Sequence, residues 1–446
     1  MEIKLWNSLT NQLETFKPIK ENEVSMYVCG PTVYDYVHVG NLRPVVVFDV
    51  LHRFLQYIGY KVTYVSNYTD VDDKIIKKAQ ETGKNEGEIT NFYIEEFEKD
   101  LKNINSIRPD VTPRVTQYMD QIISFIDELV KKEAAYVIDG DVYFRVNKIN
   151  EYGMLSNTRI EDLLVGARID ENSKKESPLD FTLWKKTDVG IKWDSPWSLG
   201  RPGWHTECVV MINSLFNDGH IDIHGGGFDL KFPHHENEIA QQRAYKGNAI
   251  ANVWMHNGFI NINNQKMSKS LGNVCTAHEA IKRFGGMPVR LLLLSTHYRA
   301  PVNFTDEMLA TNEKELNKIQ TAYKQLAVKL QLLGVELNKD EKAKDIQQFL
   351  DALADDLNTS NALTQVFSVV KEINQILRTR EFDVNLGYEK FLELKDMLYI
   401  LGLNLDYILL SEDDKKLYNE YNEAKASKDF EKSDNLRKLL IEKNIL

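Results

Sequence analysis

The chain has 446 residues, of which 43% are hydrophobic and 27% charged, with 23 Gly, 11 Pro and three Cys. This composition excludes collagen-like, disordered and disulfide-framework chains, and at roughly 150 residues per domain the length implies about three domains. A formal charge of −11, from 66 acidic and 55 basic residues, opposes sequence-blind nucleic-acid binding, which needs an excess of Lys and Arg near phosphates, but it leaves room for a localised basic track.

Met1-Glu2-Ile3-Lys4 opens a mixed segment without a signal-peptide core. No run reaches the ~18 apolar residues of a membrane span, so a cytoplasmic protein without membrane contact is expected. Val24–Cys29 reads as a strand, Pro44–Tyr57 as a helix, Lys61–Val65 as a second strand and Asp72–Thr82 as the start of a second helix. Strand, helix, strand at this spacing predicts a βαβ unit and a parallel sheet. Val115–Trp197 reads as helical, then irregular, with a charged loop at Asp170–Glu176. Ile221–His224, Val253–His256 and Gly258–Ile262 read as later strands. After Pro301 there is no Pro, His or Trp, and only three Gly, which suits helices. Leu309, Leu316, Ile319, Tyr323, Leu326 and Leu330 form one helical stripe, with Thr305 as its N-cap and Gly334 as its stop. Phe349–Leu377 and Tyr388–Leu401 are further helices, and Ser411–Leu446 alternates in charge like a solvated helix pair. The fold class expected is α/β: a doubly wound parallel-sheet, Rossmann-like domain split by an insertion, then an all-α domain.

Four stretches carry chemistry. Cys29 to Asn41 joins a strand to a helix, where ligands of open parallel sheets bind and where a helix N-terminus suits phosphate. His38, Gly40 and Asn41 sit at that mouth, although capping and turn roles fit them equally well. Lys266-Met-Ser268-Lys269-Ser270 is a basic turn or a loop that brings ammonium groups to a triphosphate. Gly200-Arg-Pro-Gly-Trp204-His205-Thr-Glu-Cys208 is the third stretch. The fourth runs from His220 through His224 and Asp229 to His234-His235-Glu236-Asn-Glu238, where Pro233 suits a helix start and would put His234 and Glu238 on one face. Two thiolates, an imidazole and a carboxylate are a possible zinc set, but Cys29 and Cys208 are too far apart in sequence for spacing to establish it.

His38-Val-Gly-Asn41 together with Lys266 to Ser270 resembles the paired HIGH and KMSKS signatures of class I aminoacyl-tRNA synthetases. Asn41 stands where the last His of the first signature is usual. Cys29-Gly-Pro-Thr-Val-Tyr-Asp, the Gly200–Cys208 run and Phe232-Pro-His-His-Glu-Asn-Glu238 narrow the resemblance to the cysteine-specific family, over nearly the whole chain. The resemblance implies activation of L-cysteine by ATP and transfer to tRNA(Cys) by a monomer. It implies one Zn²⁺ on Cys29, Cys208, His234 and Glu238, with Mg²⁺ accompanying ATP. His38, Asn41, Lys266 and Lys269 are the implied catalytic residues; ATP would also meet Gly40 and Ser268. Thr69, Trp204, His224 and Asp229 match positions around the amino-acid pocket. Cys275 keeps an ordinary core reading. Lys74-Ile-Ile-Lys77 matches another family motif, one linked in some members to pyridoxal phosphate, and here reads as an exposed helix turn. The implied domains are 1–117 and 201–301 for the split catalytic domain, 118–200 for the connective insertion, 302–404 for a helical tRNA-binding domain and 405–446 for an anticodon-binding tail. That tail is expected to be short, because the family usually continues beyond the equivalent of Asn444-Ile445-Leu446. A ligase that passes cysteine to a small amino sugar and a non-catalytic paralogue are the alternatives; the long helical region and the intact signatures argue against them.

Overall fold

The structure, a computed structural model, describes residues 1–158, 174–263, 265–267 and 274–446. Strands β1 (Lys4–Asn7) and β2 (Gln12–Thr15) form a hairpin. β3 (Glu23–Val28), α1 (Val39–Tyr57) and β4 (Lys61–Ser66) then make the expected βαβ unit. Helices α2 (Asp73–Thr82), α3 (Glu86–Asn103) and α4 (Met119–Lys131) follow. Asp72 caps α2 by accepting from the Lys74 N–H at 2.8 Å.

Helix α1 starts five residues earlier than its sequence suggested, and Pro44 lies inside it. Pro44 has no N–H to donate to the Gly40 carbonyl, so the hydrogen-bond ladder is open at the first turn, next to the cavity described below.

The insertion differs from the expectation of irregular chain. β5 (Ala135–Ile138), β6 (Asp141–Phe144), β7 (Phe181–Lys186) and β8 (Gly200–Pro202) form an antiparallel sheet in that order. Strands of three to six residues are too short to display a clear period of two, which is why the sequence hid them. The charged loop read at Asp170–Glu176 lies mostly outside the described residues.

Helix α5 (Glu207–Leu215), β9 (Ile221–Gly227), α6 (Glu236–Lys246) and β10 (Ala251–Asn257) complete the catalytic sheet. Its order is β10-β9-β3-β4, all parallel. β11 (Ile260–Ile262) and β12 (Gln265–Lys266) precede α7 (Ala277–Phe284) and α8 (Gly286–Leu294); β13 (Val302–Asn303) pairs with β11.

The helical half begins with α9 (Asp306–Leu332), capped by Thr305 and stopped at Gly334, whose φ is +83°. The run read as one helix over Phe349–Leu377 is two, α10 (Gln347–Ala354) and α11 (Thr359–Arg378). They part at Asp356 and Leu357, with φ of 56° and 49°. The Asp356 carboxylate there accepts from Trp6 N at 2.8 Å, Tyr298 Oη at 2.8 Å and Arg299 Nε at 2.7 Å, a tertiary demand invisible to helical periodicity. α12 (Val384–Leu401) follows, and α13 (Glu412–Ala426) and α14 (Phe430–Glu442) form a terminal pair. The pair rests on α9 through a small apolar cluster that includes Val328, Leu440 and Ile445. Among the described residues no helix is long and apolar enough to cross a membrane.

Helix α1 is buried along most of its length, between the sheet and the helical half, with Leu42, Val46, Val50 and Phe54 wholly enclosed. His52 lies in that helix, 1% exposed, with neither ring nitrogen hydrogen-bonded and Tyr64 edge-on at 5.6 Å. Burial holds its pKa below the ordinary 6.5. The unfolded chain therefore takes up a proton near pH 6.5 that the folded chain resists, so this residue lowers stability as pH falls below that point. His52→Phe should melt at a temperature that gains on wild type between pH 7 and pH 5. Parallel melting curves at both pH values would contradict this reading of His52.

Candidate active site and metal centre

Ligands of open parallel sheets sit beyond the carboxyl ends of the strands, where the connections leave in opposite directions. Here that point lies between β3, which runs through α1 to β4, and β9, which runs through α6 to β10. A cavity of about 480 Å³ opens there, lined by Cys29, His38, Gly40, Asn41, Trp204, Asp229 and Met267 among others. Two glycines permit the geometry. A Cβ on Gly30 would lie 1.6 Å from the Asn67 carbonyl oxygen, and one on Gly225 would lie 2.0 Å from the Phe48 ring.

His38 precedes the first turn of α1 in extended conformation, and its N–H donates to Asn41 Oδ1 at 3.2 Å. Asn41 thus uses its oxygen locally. The helix N-terminus and its N–H groups face a cavity suited to anions. Met267 of the second signature run, and the segment that begins at Val274, meet the start of α1 across a wide sequence gap. Val39 N donates to the Cys275 carbonyl at 3.0 Å and Ala277 N to the Val37 carbonyl at 2.8 Å. A Cβ on Gly40 would stand 3.1 Å from Met267 Cε. Lys266 belongs to β12; Ser268 and Lys269 lie outside the described residues. Cys275 is half-buried against the main core, in keeping with its ordinary reading.

Against the cavity wall at Cys29, the one of the four that lines it, one ligand atom each from Cys29, Cys208, His234 and Glu238 lies within 4.8 Å of the other three. Cys29 follows β3, Cys208 sits in the first turn of α5, and His234 and Glu238 flank the start of α6. The sequence placed that helix start at Pro233; regular helix begins at Glu236, because Phe232 is extended at φ −140°. His234 Nε2 still comes within 3.1 Å of Glu238 Oε1. The two sulfurs are 3.5 Å apart and unbonded. Cys29, His224, His235 and Glu238 form an overlapping second set. The first set has two sulfurs, one imidazole and one carboxylate, a donor combination that suits a tetrahedral soft-metal site. With that set as ligands, His224 Nε2, 2.8 Å from Glu238 Oε2, orients the carboxylate from behind, and His235 Nε2 lies 3.3 Å from Cys29 Sγ.

The electrostatics favour the ionised forms of Glu238 and Cys208 and the neutral thiol of Cys29. Burial raises the Glu238 pKa, but His224 and His234 outweigh it and hold it at about 2. The contact with Cys29 lowers Cys208 to about 6, against burial, while burial raises Cys29 well above the usual thiol value. Burial alone would lower His234; its hydrogen bonds to Cys208 and Glu238 hold it up at about 10. A cation at His234 thus offsets one of the two negative charges on the thiolate and the carboxylate; a divalent metal on a neutral His234 would offset both.

The four residues matched to the amino-acid pocket divide into two pairs. Trp204, 41% exposed, stacks on His234 at 4.3 Å, and Asp229 is exposed; both line the cavity. Thr69 and His224 are buried behind the wall. Thr69 Oγ1 donates to Glu207 Oε2 at 2.7 Å, and His224 meets Glu238. Lys74 and Lys77 are exposed on α2; Lys74 Nζ lies over the Tyr34 ring at 5.5 Å, and Lys77 pairs with Glu81 at 3.8 Å. His205, Glu207, His235 and His256 were not singled out in the sequence. His205 Nδ1 lies 3.1 Å from His234 Nδ1, and His235 Nδ1 lies 2.8 Å from His256 Nε2. Burial pushes His205 and His256 down to about 3. The available signal was that six of the ten histidines fall between His205 and His256.

Comparison with known proteins agrees with this geometry. The family described as "tRNA synthetases class I (C) catalytic domain" matches residues 15–314, and the DALR domain matches 348–405. Proteins named cysteine–tRNA ligase from Halalkalibacterium halodurans and Bacillus cereus are each 46% identical over 100% of this chain and 97% of their own length. The one from Brevibacillus brevis is 44% identical with the same coverage. Among solved structures, Mycobacterium tuberculosis methionyl-tRNA synthetase in complex with methionyl-adenylate superposes with a TM-score of 0.59 at 14% identity, covering 85% of this chain and 89% of that one. A putative arginyl-tRNA synthetase from Campylobacter jejuni gives 0.54 at 14% identity, over 87% of this chain and 95% of that one. The two structures share the fold alone, whereas the sequence relatives match along the whole chain, and the protein belongs to the cysteine–tRNA ligase family of class I tRNA synthetases.

Proposed function

We propose that the protein forms cysteinyl-adenylate from L-cysteine and ATP and passes the cysteinyl group to the 3′ end of tRNA(Cys), in the cytoplasm and as a monomer. The observation that carries this reading is the convergence of Cys29, Cys208, His234 and Glu238 beside the cavity that Cys29, His38, Gly40 and Asn41 line. In the first step a carboxylate oxygen of cysteine attacks the α-phosphorus of ATP, and the bond to pyrophosphate breaks. In the second, the 2′-hydroxyl of the terminal adenosine attacks the acyl carbon and AMP leaves.

The protein's part is positioning and charge stabilisation. His38 and the N–H groups opening α1 meet the phosphates, and Gly40 and Asn41 line the adenosine site. Lys266 and Lys269, with Ser268 between them, neutralise charge that develops on the triphosphate, which arrives with Mg²⁺. Trp204 and Asp229 border the amino acid, while Thr69 and His224 hold Glu207 and Glu238 in place from behind. Cys29, Cys208, His234 and Glu238 would hold one Zn²⁺, which supplies a soft Lewis acid that prefers sulfur to oxygen and so separates cysteine from serine.

Charging of purified tRNA(Cys) tests the whole reading. Adenylate formation without tRNA charging would favour a small amino acceptor instead, and neither reaction would leave a non-catalytic paralogue. Within the reading, Lys269→Ala should slow cysteine-dependent ATP–pyrophosphate exchange by roughly 10²–10³-fold, with the KM for cysteine little altered.

A further inference from the structure

We infer that Phe228 is the platform on which the terminal base of the tRNA 3′ end stacks during transfer, with Lys231 meeting the adjacent phosphate. This rests on the tRNA-charging reading above and names one residue pair for its second step. Phe228 comes directly after Gly225-Gly226-Gly227, where β9 ends at the centre of the sheet, and its side chain lines the cavity while 50% exposed. A large apolar ring left half in solvent at the mouth of the cavity keeps surface open to a further partner. The ring is nevertheless held in position. The Phe259 ring meets it edge to face, with centroids 5.4 Å apart at 67°, and the Phe259 carbonyl accepts from Arg43 Nη1 at 2.9 Å. Arg43 is itself wholly buried in α1.

Lys231 Nζ lies 5.9 Å from the centre of the Phe228 ring, and among the described residues no carboxylate pairs with it. An aromatic face beside an ammonium that Glu236 influences without ion-pair contact is an arrangement that can seat single-stranded nucleic acid: the base stacks whatever its identity, and the cation takes the backbone. The −11 charge of the chain makes such local cations the means of holding an RNA end. Two purines visit this cavity, that of ATP and that of the tRNA terminus. The N-terminus of α1 at His38 is the anion-binding end that faces the cavity, whereas the Phe228 ring is half in solvent; on the proposed reading the ATP phosphates take the first and the arriving nucleotide takes the second.

Two reactions measured on the same preparations test this. Phe228→Ala should leave cysteine-dependent pyrophosphate exchange within about twofold of wild type while kcat/KM for tRNA(Cys) falls roughly ten- to hundredfold, and Phe228→Trp should restore charging. Lys231→Gln should make the salt dependence of kcat/KM for tRNA shallower by about one phosphate contact, near 0.7 in log–log slope. Charging by Phe228→Ala at the wild-type rate would overturn the inference. So would equal losses of exchange and charging, which would assign the ring to the base of ATP. Failure of the tRNA-charging reading itself would show differently, as a wild-type protein that does not charge tRNA.

Discussion

On the proposed metal reading, Cys208→Ser should lose the metal and with it most of the preference for cysteine. Cys208 is 2% exposed, its sulfur is 3.5 Å from that of Cys29, and its thiol is lowered to about 6, so it is the donor already closest to thiolate at neutral pH. Serine keeps the volume but offers an oxygen with no comparable acidity, and a three-donor remnant binds zinc far more weakly. Changing partners of metal ligands already costs 10–100-fold in affinity or activity, so losing a ligand should slow cysteine-dependent exchange by at least about a hundredfold. The ratio of cysteine to serine activation should collapse as well, because hydrogen bonding alone separates a thiol from a hydroxyl poorly. Metal content by elemental analysis should drop from one per chain to near zero, while Cys275→Ser, away from the cluster, keeps it. Wild-type exchange and wild-type selectivity in Cys208→Ser would remove the metal from substrate recognition.

The second large effect is structural. Asp49 in α1 is fully buried, and its carboxylate accepts from Arg53 Nε at 3.0 Å, from Arg290 Nη2 and from Ile107 N at 2.8 Å. Arg290, equally buried in α8, also donates to the Leu401 carbonyl at 2.7 Å and the Ile104 carbonyl at 3.0 Å. Arg53 reaches the Tyr399 carbonyl at 3.2 Å and the Asn105 carbonyl at 2.7 Å. One carboxylate thus ties the helix that carries His38 to the end of α12 in the helical half. Asp49→Ala leaves two guanidinium groups facing each other without a counter-charge, and removing one partner of a buried charge network costs about 3–5 kcal/mol. Urea unfolding should show the loss. Asp49→Ala combined with Arg290→Met should lose less than the sum of the two single changes, since the double variant no longer buries one of the stranded cations. A single variant with the wild-type midpoint would show that the network contributes nothing to stability.

Where local pattern and tertiary context agreed, the sequence was readable. The six residues of β3 and the six of β4, joined by an apolar helix, are a parallel unit by spacing alone. The stripe from Leu309 to Leu330 lies in the single helix α9, between the expected cap and stop. Where a tertiary contact set the backbone, the sequence misled. Nothing in the helical pattern of Phe349–Leu377 announces that Asp356 must leave the helix to bind Trp6, Tyr298 and Arg299. Nothing in residues 135–202 shows that four short runs pair into a sheet, because pairing partners are chosen across loops and not along them.

The same division holds for the site. By itself the sequence determined the class of protein, through two signature runs and a histidine-rich stretch whose residue types are specific enough to mark a family. It also determined which side chains are chemically able to act. Only the tertiary structure decided which of them lie together. Cys29 and Cys208 become neighbours because β3 ends beside β9 and α5 lies across that end. Thr69 and His224, matched to the same pocket as Trp204 and Asp229, stand behind its wall, where Thr69 Oγ1 hydrogen-bonds Glu207 and His224 Nε2 hydrogen-bonds Glu238. A one-dimensional pattern records residue type and spacing; burial and the distances between donor atoms belong to the folded chain.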